Sequence, residues 1–489
     1  MNVENRLLSL CLNPNKSPTF KVSAICTDSR KVTSGAVFVA LKGKRQDGHD
    51  YLRSAIEKGA KVLVVENKEK IKSISFKGMI CVVPNTRTIL PVLLNEFYDH
   101  PSEKMFCVGI TGTNGKTTVS SMLSFILSRC GWRSSLIGTI KNSFESQEEK
   151  SWLTTPDPVE LYRLLNRFYL KGAQALVMEV SSIGLDQQRV AGLDFNLGVF
   201  TNLSEDHLDY HPNMLEYFQA KKTLFEIPTL LAKAKNHFLA VINLDDPYGI
   251  KLAREIKVPY ISYGKKEARF IYEVLSSNLY GTWFNLYFDK KKIKIHLPIP
   301  GTYNVSNAVA ALCCAQAAGF SLEEAAEALA HFPGVPGRME KVSPPNTPLV
   351  FVDYAHTPQA LSSSLSFLYE TGQKSQLITV FGCGGQRDRK KRPLMAQIAE
   401  CFSDSVILTS DNPREEDPLA IVNDCMKGVK DKEKFIIELD RKKAIRKALV
   451  KAKKTDIVLI AGKGHEKEQI IGSERHHFSD AEVVKEFFS

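Results

Sequence analysis

Residues 112–117 read Gly-Thr-Asn-Gly-Lys-Thr, a set of residue types suited to holding a phosphate chain. Glycines let backbone N–H groups turn toward phosphate oxygens, and a helix that starts just after them adds partial positive charge. In this arrangement Gly112, Thr113, Asn114, Gly115 and Thr118 cradle the phosphates. Lys116 neutralises the β- and γ-phosphates, and the Thr117 hydroxyl holds Mg²⁺. The stretch is a shorter relative of the common Gly-x4-Gly-Lys-Ser/Thr loop. A glycine turn that merely caps a helix is the alternative. A phosphate loop alone does not separate a ligase from a kinase, a motor or a nucleotide switch.

A phosphate loop needs a strand before it and a helix after it. Residues 105–110 are apolar and predict the strand, and 119–130 predict the helix. Further apolar runs at 175–180, 197–201 and 238–243 predict strands joined by right-handed crossovers into a mostly parallel sheet. Residues 305–318, rich in alanine, read as a buried helix. Upstream, 36–41 and 61–65 read as strands and 51–59 as a helix stopped at Gly59. Downstream, strands are expected at 349–353, 377–381, 405–409 and 457–461, with helices at 392–401 and 442–453. The Gly-Cys-Gly-Gly at 382–385 follows a strand but lacks the dinucleotide-binding spacing, so NAD is not expected.

The expected fold class is therefore α/β in three domains. A small N-terminal α/β domain spans 1–101. A central P-loop-type domain with a mostly parallel sheet and helices spans 102–333. A Rossmann-like α/β domain spans 334–489. Residues 101–104 are the expected linker between the first two, and the Pro/Gly cluster 332–338 an expected hinge.

The 489 residues are 43% hydrophobic and 24% charged, which excludes a disordered chain. The net charge of +11 suits an anionic substrate or a plain solvated surface. Basic and aromatic residues are not interleaved as in an RNA-stacking platform, so no nucleic-acid partner is expected. The ten cysteines form no Cys-x-x-Cys pair, which leaves zinc and redox chemistry without support and predicts free thiols. Residues 1–12 carry no long apolar run, and none of about 18 residues occurs elsewhere. No export signal and no membrane span are expected, and the expected location is cytoplasmic.

Glu179 closes an apolar strand, where a carboxylate can bind Mg²⁺ or simply meet solvent. His207 follows another strand, and an isolated histidine is more often structural than a ligand. Lys221 by residue type alone reads as a solvated lysine on an amphipathic helix, like its neighbour Lys222.

Taken in order and spacing, five segments resemble the Mur ligase family. They are Gly112–Thr118, Met-Glu-Val-Ser-Ser at 178–182, Asp-His-Leu-Asp-Tyr-His at 206–211, Tyr-Phe-Gln-Ala-Lys at 217–221 and Tyr-Asn-Val-Ser-Asn at 303–307. The resemblance covers nearly the whole chain. It implies an N-terminal domain for a UDP end, a central domain for ATP and a C-terminal domain for an incoming amino acid. It also implies Mg²⁺ near Thr117, Glu179 and His207, with Lys221 carbamylated by CO₂ into an anion that supports the metal. Asn307, Arg338 and Asp353 are implied around ATP, with Arg338 toward phosphate and Asp353 toward the ribose. A monomer is expected. Lys116, His207 and Lys221 are the implied catalytic residues.

Within that family, selectivity comes from the ends of the chain. Thr-Asp-Ser-Arg at 27–30 resembles a UDP-sugar site, with Ser29 the matching contact. Thr154, Thr155, Ser181, Gln187 and Arg189 match positions that hold UDP-N-acetylmuramoyl-L-alanyl-D-glutamate. Asp411, Asn412, Pro413 and Arg414 resemble the signature of members that add meso-diaminopimelate. Arg414 would bind the distal carboxylate bidentately, while Asp411 or Asn412 receives the ammonium and Pro413 shapes the turn. Leaving that arginine unpaired would penalise lysine. Arg387, Gly462 and Glu466 complete the implied pocket. Two positions depart from the family pattern. Ile183 replaces a usual histidine, and Gln386 a usual acid. The alternatives are a lysine-adding or folate-glutamate ligase of the same superfamily, a non-catalytic nucleotide switch, and a nucleic-acid binder with steeply salt-dependent affinity.

Overall fold

The computed structural model describes residues 9, 21–43, 46–71, 74–230, 238–372 and 375–489, with no side chains at 227–230. The chain forms two compact units. One contains 1–111, 132–198 and 220–239, and the other 112–131, 199–219 and 240–489.

The first unit opens with four parallel strands in chain order, Ile25–Cys26, Val37–Val39, Val62–Val65 and Met79–Val82. Their β-branched runs suit a sheet buried on both faces, and Val62–Val65 is buried throughout. The helix Thr86–Tyr98 follows, capped by Asn85. The unit also holds strand Phe106–Thr111, parallel to Ala175–Glu179, which in turn is parallel to Ser134–Ile137. Lys141–Phe144 and Gln147–Lys150 continue this edge antiparallel. The helix Pro158–Leu170 buries Leu161, Leu164, Leu165 and Phe168, the three-to-four spacing of one helical face.

The second unit begins at the phosphate loop. Its helix, Lys116–Arg129, starts earlier than its apolar pattern suggests, because Gly115 takes φ +88 and turns the chain directly into it. The alanine-rich helix Tyr303–Ala317 packs beside it. Strands Leu239–Asn243, Tyr260–Gly264 and Phe270–Asn278 run parallel, and Gly281–Phe288 and Lys291–Leu297 continue antiparallel. A second sheet has the order Glu340–Lys341, Leu349–Asp353, Ile457–Ala461, Leu377–Phe381, Ser405–Leu408, Phe435–Ile437. All its neighbours are parallel except the first pair. Separate apolar clusters cover its two faces. Four parallel strands thus end at Asp353, Phe381, Leu408 and Ala461, and the segments that follow them gather along one edge. The crevice outside such strand ends is where open α/β sheets bind ligands.

The expected α/β class holds. The expected linker at 101–104 does not. Pro101–Lys104 is a short 3₁₀ turn with Ser102 fully buried, and the Ser102 hydroxyl accepts from Asp194 N–H at 3.1 Å. Glu103 and Lys104 are exposed, but Pro101 and Ser102 are buried and the turn lies inside one compact unit rather than between two. Cys26, Cys107, Cys130, Cys313, Cys314, Cys383, Cys401 and Cys425 are free thiols. Cys81 is disulfide-bonded, against the expectation. Among the described residues no helix is long and apolar enough to cross a membrane.

Candidate active site

The phosphate loop is held open by its own backbone and one neighbouring strand end. Gly112 takes φ +150, and a Cβ there would lie 1.9 Å from Thr201 Oγ1. At Gly115 a Cβ would lie 2.4 Å from Asn307 Oδ1. Asn202 accepts from Thr113 N–H and from Asn114 N–H, both at 2.9 Å, and Thr201 Oγ1 donates to the Asn114 carbonyl at 2.6 Å. The Thr113 hydroxyl accepts from Ser204 N–H at 3.0 Å and meets Tyr217 OH at 3.1 Å. Lys116 Nζ reaches back to the Gly112 and Thr113 carbonyls, each at 2.9 Å, so its charge lies across the loop. No side chain caps the N-terminus of this helix.

The loop borders a cavity of about 530 Å³ whose lining includes Asn114, Gly115, Thr118, Asn307, Arg338 and Asp353. Five residues named from sequence for ATP thus share one cavity with the loop glycine. Arg338 stacks on Tyr354, 4.5 Å from the ring centre, and donates to Thr117 Oγ1 at 3.2 Å. Asp353 accepts from Met339 N–H at 2.6 Å and Ala355 N–H at 2.9 Å. Burial raises its carboxyl above the usual range, against the pull of Arg338. Asn243, Asp245, Lys265 and Gln359 also line the cavity. Sequence reasoning missed them because they carry no motif. The Asn-x-Asp after strand Leu239–Asn243 was the only available signal.

A smaller cavity of about 180 Å³ opens at the strand ends of the second sheet. It is lined by Arg387, Asp411, Asn412, Arg414, Gly462 and Glu466, with Asp206 and His207 opposite. Of the tetrapeptide, Pro413 alone is not among its lining; its carbonyl accepts from Glu416 N–H at 3.1 Å. Arg414 sits at φ +55, and its guanidinium donates to the Gly385 carbonyl at 2.8 Å. Burial, and next the charge of Arg387, disfavour its cation, the situation an anionic ligand would relieve. Asn412 is a hub. It donates to Glu466 at 2.9 Å and accepts from Lys463 at 3.1 Å and Ile470 N–H at 3.0 Å. Lys463, fully buried, also pairs with Glu466 at 2.8 Å. It was missed because a lysine inside a glycine-rich segment gives no sign of burial. Gly462 is needed where it stands, since a Cβ would lie 2.8 Å from Asp411 Oδ2.

Asp206, behind His207, is driven in two directions. Burial pushes its carboxyl up, but His207, His356 and Lys391 together hold it at about 2. His207 takes φ +54, and its ring nitrogen lies 3.5 Å from Asp206.

In the first unit, Glu179 is almost fully buried and accepts from Thr139 N–H at 2.8 Å and Thr139 O–H at 2.9 Å. The Thr139 hydroxyl, unnoticed in the sequence, also meets Thr154 Oγ1 at 3.1 Å. Thr155 Oγ1 accepts from Ser181 N–H at 2.9 Å, and Ser181 caps the helix Ser182–Asp186. Arg189 donates to the Thr155 carbonyl at 2.7 Å and to Gln187 Oε1 at 2.8 Å. Thr154, Thr155, Ser181, Gln187 and Arg189 therefore form one contiguous polar network. Ser29 lies apart from it, buried at the 3₁₀ turn Ser29–Lys31.

Lys221 is about 1% exposed, so the reading of it as a solvated lysine fails. Among the described residues, no cluster of three His, Cys, Asp or Glu side chains is placed to hold a metal ion. The donors named from sequence are instead a hydroxyl, a carboxylate, an imidazole and a modified lysine. Two of the four are oxygen ligands as they stand, and the carbamate would be a third, which fits a hard cation.

Three family models match the chain: Mur ligase family, catalytic domain, over 21–98; Mur ligase middle domain, over 110–315; and Mur ligase, glutamate ligase domain, over 337–464. A UDP-N-acetylmuramoyl-L-alanyl-D-glutamate–2,6-diaminopimelate ligase of Clostridium tetani is 41% identical, covering 94% of this chain and 93% of its own. The enzyme of the same name from Aquifex aeolicus is 42% identical, covering 95% and 93%. A solved structure of an enzyme of that name matches with TM-score 0.70 and 33% identity, over 100% of this chain and 99% of the other. A ligase called MurF from Thermotoga maritima, solved with ADP, shares the fold at TM-score 0.64 and 20% identity, over 96% and 97% of the two chains. By sequence and by fold alike, the chain belongs to the Mur ligase family.

Proposed function

We propose that this ligase uses ATP to join meso-2,6-diaminopimelate to the D-glutamate of UDP-N-acetylmuramoyl-L-alanyl-D-glutamate, in peptidoglycan precursor synthesis. The observation that carries the reading is the 180 Å³ cavity, where Arg387 and Arg414 stand with Asp411 and Glu466. Two guanidiniums and two carboxylates suit an amino acid with a second amino–carboxyl centre. Arg414 would meet the distal carboxylate, and Asp411 the distal ammonium. Asn412, already saturated, positions Glu466 instead of receiving the ammonium itself.

ATP belongs in the 530 Å³ cavity, with its phosphates on the loop at 112–118. Thr154, Thr155, Ser181, Gln187 and Arg189 would hold the UDP-dipeptide, with Ser29 at its uridine end. The domains would run 1–101 for UDP, 102–333 for ATP and 334–489 for the amino acid. Thr117, Glu179, His207 and a carbamylated Lys221 would hold Mg²⁺. When bound, that ion offsets phosphate charge.

The glutamate γ-carboxylate oxygen attacks the γ-phosphorus, the bond to ADP breaks, and an acyl phosphate forms. Lys116 stabilises the charge that develops on the phosphoryl oxygens. The amine nitrogen of diaminopimelate then attacks the acyl carbon, loses a proton, and phosphate leaves. Placing both cavities along one strand-end edge supports direct hand-over from the activated acid to the amine.

An amino-acid panel with UDP-dipeptide and ATP tests the reading. Phosphate release and a new amide are expected with diaminopimelate, and little of either with lysine or glutamate. Oxygen-18 in the carboxylate should pass to phosphate. Preference for lysine, or for glutamate on a folate, would overturn the substrate assignment. Nucleotide hydrolysis without any acid or amine would favour a nucleotide switch.

A further inference from the structure

Amide formation leaves one proton without an acceptor, because the attacking amine enters as an ammonium. The acceptor must reach both the activated carbonyl and the amine. Among the described residues, Tyr354 and His356 line both the 530 Å³ and the 180 Å³ cavities. Burial raises the Tyr354 phenol far above neutrality, so it stays protonated and cannot accept. Asp206 lines only the 180 Å³ cavity.

His356 has the opposite character. Its Nδ1 lies 2.8 Å from the Tyr354 carbonyl, and a carbonyl can only accept. Nδ1 therefore carries the hydrogen, and Nε2 keeps its lone pair. The Lys391 ammonium donates to the His356 carbonyl at 2.9 Å and fixes the backbone under the ring. Tyr354 meets the imidazole edge-on at 4.6 Å. Burial lowers the imidazole pKa, helped by Lys391 and Arg338 and opposed by Asp206. The ring is thus neutral at physiological pH and ready to accept.

We propose that His356 Nε2 removes the proton from the attacking amino group. The inference rests on the ligase reading above. Nε2 takes one proton from the ammonium, the freed nitrogen lone pair forms the C–N bond, the acyl-phosphate C–O bond then opens, and the second N–H proton goes to the leaving phosphate. Phosphate departs with the bonding pair. The imidazolium, stabilised by the Asp206 carboxylate, returns its proton to water.

Hydroxylamine supplies the test, because at neutral pH it is already unprotonated and captures acyl phosphates as hydroxamates without a base. The His356→Gln enzyme should lose about 100-fold in amide formation with diaminopimelate. Its hydroxamate formation from UDP-dipeptide, ATP and hydroxylamine should fall far less. Added imidazole should restore amide formation in His356→Ala, and urea midpoints establish that both variants fold. Equal losses with both nucleophiles would overturn the proposal and assign His356 to acid activation. Amide formation at the parent rate would overturn it as well. Failure of the parent enzyme to form any amide would instead strike the ligase reading, so the two failures are distinct.

Discussion

The phosphate loop and the 180 Å³ cavity lie in the same unit yet are made differently. At 112–118 the loop is shaped by glycines whose conformations admit no side chain and by short hydrogen bonds of its backbone to Thr201 and Asn202. At 411–414 and 462–466 the cavity is shaped by side chains, each fixed by another side chain or by a backbone group of a distant segment. A backbone device is specified by a few consecutive residues and binds any triphosphate. A side-chain device draws on several strand ends and distinguishes one amino acid from another.

The comparison is broken most forcefully at the loop. Lys116→Ala is expected to cut phosphate release by about 1,000-fold, as removing a charge aligned with a developing oxyanion does. Gly115→Ala should approach the same loss, because its Cβ would lie 2.4 Å from Asn307 Oδ1 at φ +88. Near-parent turnover in Gly115→Ala, measured with both acid and amine present, would show that the loop is not set by backbone alone.

Next in size is Lys221. Lys221→Ala should lose roughly 100-fold in turnover, the range seen when a metal site loses an organising group. Short carboxylic acids should restore part of it by standing in for the carbamate. Full activity without any added acid would rule the carbamate out.

How much of this was legible follows the same division. The loop, its strand and its helix stood in the sequence because local glycines and apolar periodicity dictate them. Strands 349–353, 377–381 and 457–461 were legible for the same reason, as continuous buried runs. Asp411 and Arg414 were readable only through resemblance, since a turn after a strand explains them equally well. Thr139 and Lys463 were invisible. Their roles arise from hydrogen bonds to Glu179 and Asn412, residues 40 and 51 positions away. The supposed linker at 101–104 misled because a serine taken inside and hydrogen-bonded there, as Ser102 is, looks the same in sequence as one facing water.

Arg414 sharpens the contrast at smaller scale. Arg414→Ala should raise the KM for diaminopimelate by roughly 10- to 100-fold, the worth of a charged hydrogen-bonded pair. The KM for lysine should hardly move, because lysine offers no distal carboxylate. Equal changes for both substrates, measured by steady-state kinetics, would mean that the arginine shapes the wall without reading the ligand.

The smallest effect concerns stability, and it separates the two devices by pH. Arg392, wholly buried, grips Glu416 with two hydrogen bonds of 2.7 and 2.8 Å and donates to the Gly384 carbonyl at 3.3 Å. Glu416 also accepts from Gln386 N–H at 3.0 Å, so this pair braces the loop behind Arg387. The arginine holds the Glu416 carboxyl at about 2, against an ordinary 4.5. A depressed carboxyl contributes stability above its unfolded value and loses it as pH falls toward its folded one. The contribution is roughly 3 kcal/mol at neutral pH and fades between about 4.5 and 2. Glu416→Gln should therefore lower the urea midpoint at pH 7 and narrow its deficit as the pH is taken down through 4. Because the phosphate loop is secured by backbone hydrogen bonds that do not titrate, ATP binding at the lower pH should outlast amino-acid binding. A deficit that stays constant with pH would show that the brace is steric and not ionic.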